Sequence, residues 1–147
     1  MTPDEARSRF AAARVARLAT VGPDGAPHLV PVSFAVEGDR IVTAVDAKPK
    51  RNGRLRRLEN LDANARVCVL VDHYDEDWRG LWWVRADGHG RVLDGGPEMA
   101  RAFDLLRERY SQYASVDLVG PAIVVEVVRW TGWSAGGGIG LAGMSVP

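Results

Sequence analysis

The densest cluster of chemically useful side chains in this sequence is a run of cations, Lys48-Pro-Lys-Arg-Asn-Gly-Arg-Leu-Arg-Arg57. Six of its ten residues are lysine or arginine, although the 147-residue chain has a formal net charge of zero. Such a cluster repels itself unless it is hydrated or faces an anion, and guanidinium groups bind phosphate through paired hydrogen bonds. Gly53 would let backbone N–H groups approach an anion closely. We therefore expect Lys50, Arg51 and Arg54 to converge on a phosphate; the alternative is a hydrated helix face.

Composition limits the class of protein. The length suits one domain, and 46% hydrophobic with 26% charged residues is ordinary for a globular chain. Balanced charge argues against a general nucleic-acid-binding protein, so we expect no nucleic-acid partner. No apolar run reaches the roughly 18 residues that span a bilayer, so we expect no membrane partner. The single cysteine, Cys68, excludes an intrachain disulfide and suits a reducing cytoplasm.

Other signals for chemistry are weak. The loop Asp72–Trp78 holds four carboxylates and one histidine, but their spacing fits neither an EF-hand nor a zinc site, so we expect no metal. The sequence contains no nucleophile elbow, no phosphate-binding P-loop and no dinucleotide-binding glycine fingerprint. No residue stands out as a catalytic acid or base. If the chain is an enzyme, we expect a bound cofactor to supply the reactive group.

Three segments have the spacing of helices that could support such a site. The first follows a capping box at Thr2–Glu5 and buries Ala6 and Phe10 on one face. The second follows the basic run, where leucines recur every three residues over 55–61. The third spans 97–110, beginning at a proline and carrying one apolar stripe.

Alternating apolar residues predict strands over 15–21, 28–36, 41–45, 66–71, 81–93 and 122–130. The run 66–71 is almost continuously apolar, which predicts burial on both faces. Trp82 and Trp83 are neighbours in a strand, so one points inward and the other outward, where an exposed ring often marks an oligomer interface. Six strands and three helices without strand–helix alternation predict a mainly β chain: an antiparallel barrel with flanking helices at its openings.

The order of these elements resembles the pyridoxamine 5'-phosphate oxidase-like split β-barrel family. The residues that carry the resemblance are Leu18-Ala-Thr20 followed by Asp24-Gly-Ala-Pro27, the basic run, and Asn64-Ala-Arg-Val67 at a strand entry. The similarity covers about residues 5–133 and is greatest to the actinobacterial branch that uses the deazaflavin coenzyme F420.

The resemblance implies a six-stranded antiparallel split β-barrel over residues 1–135, and the glycine-rich composition of 136–147 indicates a flexible tail. It also implies a homodimer with cofactors at the subunit interface and an oxidoreductase activity, in which hydride passes between the deazaflavin and a small organic substrate. FMN is the alternative cofactor. A flavin or haem carrier or sensor without turnover is the alternative function.

Carried over by position, the resemblance also implies the cofactor-binding residues. The ring would lie against the second and third strands, at Val30, Pro31, Val32, Ser33, Thr43, Ala44 and Val45. The phosphate would bind to the basic run, at Lys48, Lys50, Arg51, Arg54 and Arg57. Trp78 would contact the cofactor from across the interface.

The C-terminal segment of this chain departs from the pattern of one branch of the family, the true pyridoxamine phosphate oxidases. True pyridoxamine phosphate oxidases resemble each other in an arginine-rich C-terminal segment that binds the substrate phosphate. This chain instead reads Arg129-Trp-Thr-Gly-Trp-Ser134 and then glycines, so we do not expect that activity. FMN ends in one phosphate, whereas F420 carries a phosphodiester and a polyglutamate tail, so six cations in ten residues favour F420.

Overall fold

The computed structural model describes residues 1–45 and 55–136. In chain order its elements are α1 (Pro3–Ala12), β1 (Ala16–Val21), β2 (Pro27–Val32), β3 (Ala35–Glu37), β4 (Arg40–Ala44), α2 (Arg56–Ala63), β5 (Arg66–His73), β6 (Trp82–Leu93), α3 (Gly96–Arg109) and β7 (Ala122–Ser134). Short 3-10 turns occupy Trp78–Gly80 and Ser111–Ala114.

The strands form one antiparallel sheet in the order β2-β1-β5-β6-β7-β4-β3. Its two edge strands, β2 and β3, are consecutive in the chain and are joined only by Ser33 and Phe34. An extended residue spans about 3.5 Å, so the two edges must lie close together where the chain passes between them. The sheet therefore curls into a split β-barrel.

Within the described residues the sheet has seven strands, and the prediction of six was wrong at one place. The predicted strand over 28–36 is two strands, because the chain leaves one edge of the sheet at Ser33 and joins the other edge at Ala35. Side chains replace the sheet hydrogen bonds at this break: the Phe34 N–H donates to the Tyr110 hydroxyl over 3.0 Å. The alternation continues through the break nevertheless, and Phe34 is completely buried in the barrel interior.

The barrel interior is closed at its two ends by helices, as the spacing of their apolar residues predicted. The capping box at Thr2 and Glu5 is present, and it starts α1 so that Phe10 is completely buried. At the other end Leu61 of α2 packs over Gly90, where an added Cβ would lie 2.8 Å from the leucine side chain. In the described residues no helix is long and apolar enough to cross a membrane.

The two halves of the sheet differ on their outer surface. Helix α3 covers the outer face of β3, β4 and β7, where Phe103 and Leu106 pack against Val42 and Val124. We call this surface the covered face. The outer side of β2, β1, β5, the first half of β6 and the end of β7 belongs to neither apolar cluster of the described residues. We call it the bare face, defined by its apolar residues Ala19, Leu29, Pro31, Leu70, Trp83 and Trp133.

The bare face corrects the prediction that the strand at 66–71 is buried on both sides. Val67, Val69 and Val71 point into the barrel and are buried, whereas Leu70 is only half-buried on the outer side. The neighbouring tryptophans follow the predicted alternation. Trp82 packs against the interior cluster, and Trp83 lies beside its outward strand partner Trp133.

Candidate cofactor site

The structure brings the two predicted ring-contacting segments together where β2 ends and β4 passes beside it. The Thr43 hydroxyl donates a hydrogen bond to the Ser33 carbonyl oxygen over 2.7 Å, and Thr43 is 4% exposed, so little water competes for this bond. Ala44 is half-buried toward α3, and Val45 is buried, with its N–H donating to the Pro121 carbonyl over 3.0 Å. We call Ser33, Thr43 and Ala44 the seam, because they lie where the two sheet edges meet.

The predicted ring contacts on β2 face in opposite directions. Val32 is buried and Val30 packs against the interior cluster, so neither side chain lies on the outer surface. Pro31 is exposed on the bare face. Because β2 is an edge strand, one side of its backbone has no strand partner among the described residues, and backbone N–H and C=O groups on such an edge can bind a ligand. A planar ring on the outside of the barrel would therefore meet Val30 and Val32 through their backbone only.

Arg57 is the member of the predicted phosphate site that the structure places. Lys48, Lys50, Arg51 and Arg54 lie outside the described residues. Arg57 lies half-buried in the first turn of α2, and its buried Nε has no hydrogen-bond partner among the described residues. Burial lowers the pKa of this guanidinium. A partly buried cation with an unused donor is stabilised by an anion, so Arg57 fits a phosphate.

The start of α2 has a second property that suits an anion. The N-cap residue Leu55, directly before α2, offers no side-chain cap, and among the described residues no side-chain hydrogen bond caps the first turn. Helix α2 begins at Arg56, so the last two residues of the basic run form its start. N–H groups at a helix start bind negatively charged groups, and here they belong to the same turn as the Arg57 side chain.

Two tyrosines of the segment after α3, Tyr110 and Tyr113, reach the seam, and no sequence pattern pointed to Tyr113. The Tyr110 hydroxyl is buried between the Phe34 N–H and the carbonyl oxygens of Arg14 and Phe34, each at 3.0 Å, so it is fully used in holding the strand break. The Tyr113 hydroxyl instead lies 2.6 Å from the Ser33 hydroxyl. The two residues are 80 positions apart, so no local pattern could have linked them.

Trp78 lies on a loop that contains an ion pair between Asp77 and Arg79. It is 49% exposed in the turn between β5 and β6. The side chain of Arg79 donates to the Asp77 carboxylate over 2.7 Å, and these hydrogen bonds lower the pKa of Asp77 to about 2. The pairing of β2 with β1 and of β1 with β5 places this loop at the end of the sheet where β2 ends. Its predicted contact with a partner's cofactor stays a prediction.

The curled sheet with helices at its ends and a seam between its edge strands defines a split β-barrel. The chain belongs to the pyridoxamine 5'-phosphate oxidase family, whose sequence profile matches residues 2–134. This confirms the family resemblance drawn from the sequence.

Individual relatives agree with this assignment. Over 56 residues the chain is 43% identical to a 5a,11a-dehydrotetracycline/5a,11a-dehydrooxytetracycline reductase of Streptomyces rimosus, a match that spans 38% of each protein. The fold of the present chain is similar to that of a conserved hypothetical protein of Mycobacterium tuberculosis. The TM-score is 0.73, and the identity is 23% over 92% of this chain and 86% of that one. An FAD-binding protein of Mesorhizobium loti has a TM-score of 0.68 and 23% identity, covering 90% of this chain and 94% of that one.

Proposed function

We propose that this protein is an F420-dependent oxidoreductase that transfers hydride between the deazaflavin and a small organic substrate. The observation that carries the proposal is Arg57 at the end of the basic run, whose half-buried Nε has no hydrogen-bond partner among the described residues. Membership of the pyridoxamine 5'-phosphate oxidase family supports a ring-binding role for the seam. The bound deazaflavin supplies the hydride chemistry, and the protein binds, orients and shields the reactants.

In this proposal two regions of the chain bind different parts of the cofactor. Lys48, Lys50, Arg51, Arg54 and Arg57 bind the phosphodiester and the acidic tail, and the uncapped start of α2 adds backbone donors. The seam and the open backbone edge of β2 bind the ring. Several cations near one ligand also predict binding that weakens steeply with salt, because exposed charges are screened.

The partial relative supports a proposal for the substrate class. That relative is named as a reductase of dehydrogenated tetracyclines, which are polycyclic unsaturated compounds. We propose a conjugated, unsaturated small molecule as the hydride acceptor of this chain, lying beside the ring at the seam. The exposed Pro31 and Trp78 offer apolar surface for such a planar compound.

We further propose that two copies assemble through the bare face. Leu29 is 65% exposed there, and half-buried Leu70, Trp83 and Trp133 extend the apolar surface across the sheet. Contiguous apolar surface of this kind marks an interaction site. Pro31 belongs both to the bare face and to the predicted ring contacts. A second copy on this face would therefore border the cofactor, as the family resemblance implies.

The proposal is tested by titrating the protein with F420 and, separately, with FMN, following the quenching of tryptophan fluorescence. We expect F420 to bind more tightly, and Arg57→Gln to weaken its binding about 10- to 100-fold, as expected for the loss of a hydrogen bond to a charged group. Arg107→Gln, on the outer surface of α3, is the matched control and should bind like the wild type.

The outcomes separate the alternatives. Tighter binding of FMN would replace F420 by FMN as the cofactor, and binding of neither would overturn the proposal. Equal affinities of Arg57→Gln and the wild type would remove the phosphate role from Arg57. Tight F420 binding without hydride transfer to any compound of a panel of conjugated enones and quinones would identify a carrier in place of an enzyme.

A further inference from the structure

The hydroxyl groups of Ser33 and Tyr113 form a direct hydrogen bond at the seam. Their oxygens are 2.6 Å apart, at the short end of the range for such bonds. Ser33 belongs to the predicted ring contacts, whereas Tyr113 lies in the turn Ser111–Ala114 after α3 and was assigned no role. The bond therefore links the cofactor site to a part of the chain outside it.

Both partners are held in place by other contacts. The Ser33 carbonyl accepts the Thr43 hydroxyl, and the next residue, Phe34, is fixed by Tyr110. The Tyr113 ring packs edge-to-face on the Tyr110 ring, with centroids 5.8 Å apart and planes at 87°. Since neither oxygen can move far, the pair is prearranged before any ligand arrives.

The direction of the hydrogen bond follows from acidity. A phenol is a stronger acid than an aliphatic alcohol, so the Tyr113 hydroxyl is the better donor and Ser33 Oγ the acceptor. The hydroxyl hydrogen of Ser33 is then not used in this bond, and among the described residues Ser33 Oγ has no second hydrogen-bond partner. A half-buried hydroxyl in this state can donate a hydrogen bond to a ligand.

We infer that Tyr113 is a positioning residue that holds the Ser33 hydroxyl as a hydrogen-bond donor to the cofactor ring. This inference rests on the proposed function. The pyrimidine edge of flavin and deazaflavin rings carries carbonyl oxygens, which accept such a bond. Tyr113 itself does not touch the ring; it acts by occupying Ser33 Oγ as an acceptor, so that the serine can only donate outward.

The test is a double-mutant cycle with Ser33→Ala, Tyr113→Phe and the double variant, in the full chain. For each we measure the F420 and FMN dissociation constants and the visible absorption band of the bound coenzyme. We expect each single variant to weaken binding of the preferred coenzyme about 3- to 10-fold, the effect of one hydrogen bond, and to shift the band in the same direction. The double variant should bind no more weakly than Ser33→Ala, because Tyr113 acts through Ser33.

Tyr74→Phe is the matched control, since the Tyr74 hydroxyl is exposed and has no hydrogen-bond partner among the described residues. It should leave both the affinity and the band unchanged. A Tyr113→Phe protein that binds and absorbs like the wild type would overturn the inference while leaving the proposed function intact. So would a double variant whose loss equals the product of the single losses. A purely structural tyrosine would lower the melting temperature without shifting the band. A wild type that binds neither coenzyme would overturn both proposals.

Discussion

The covered face and the bare face are two outer surfaces of one sheet, and they are completed differently. On the covered face Val42 and Val124 are buried beneath α3, at 6% and 2% exposure. On the bare face Leu70 and Trp83 occupy equivalent outward positions, yet the described chain leaves them half-exposed. Both surfaces are apolar, so the strands alone do not determine which one becomes core. The difference shows that α3 buries the outer side of β3, β4 and β7, whereas the described residues leave the bare face without such a cover.

The charges around the two faces show the same contrast. At the covered face ion pairs tie the helix to the sheet: Arg101 of α3 bonds Glu37 over 3.1 Å. On the bare face the ion pairs join neighbouring strands, as in Arg17 with Asp72 and Arg129 with Asp87. These pairs satisfy their own charges within the sheet. The bare face therefore presents apolar side chains beside neutralised charges, which lowers the cost of covering it.

The largest effect is expected from a substitution that disrupts the packing of the covered face. Leu106→Ala removes a completely buried side chain between α3 and the sheet and leaves a cavity. We expect the free energy of unfolding to fall by about 2–5 kcal/mol. Urea titration followed by tryptophan fluorescence measures this loss. A loss below 1 kcal/mol would mean that α3 is not an integral part of the core.

The next largest effect is expected where Tyr110, at the end of α3, holds the break between β2 and β3. Tyr110→Phe removes the hydroxyl that accepts the Phe34 N–H and bonds nearby carbonyl oxygens, leaving buried polar groups without partners. We expect the free energy of unfolding to fall by about 1–3 kcal/mol. Tyr74→Phe, at an exposed hydroxyl, is the control and should change stability little. Equal stability of the two variants would show that the break is held by other contacts.

A smaller effect is expected on the bare face. Leu29→Asp places a charge at an exposed apolar position, so the monomer should fold normally. In the proposed dimer this charge would lie in an apolar interface, where burial without a partner is costly. We expect the dimer dissociation constant to rise at least about tenfold, measured by analytical ultracentrifugation. Glu59→Gln, on the exposed side of α2, is the control. A wild-type protein that is monomeric at high concentration would contradict the proposed dimer.

Much of the fold could be predicted from the sequence, because local rules determine it. The capping box fixes the start of α1, and the two-residue period of a strand turns Trp82 inward and Trp83 outward. The strand break could not be predicted. The alternation of Val30, Val32 and Phe34 continues through Ser33, and the hydroxyl that stabilises the break comes from Tyr110, 76 residues away.

Less of the candidate cofactor site than of the fold could be predicted from the sequence. The resemblance placed Ser33 and Thr43 in one site, and the structure brings them into hydrogen-bond contact. It could not show that the side chains of Val30 and Val32 point into the barrel, because it carries residues over by position and not by side-chain direction. Tyr113 was missed because only the tertiary fold carries it to Ser33.

The smallest effect is the pH dependence of the covered face. The hydrogen bond from Arg101 lowers the pKa of Glu37 below its ordinary value of 4.5. Because the folded value lies below the unfolded one, this pair stabilises the fold above about pH 4.5 and the stabilisation is lost as pH falls through the lowered pKa. Both groups are exposed, so the gain is small and sensitive to salt. Thermal melts of the wild type and Arg101→Gln should differ slightly at pH 6, and the difference should shrink as the pH falls below 4.5. A difference that does not change with pH over this range would show that Arg101 stabilises α3 by packing and not by its charge.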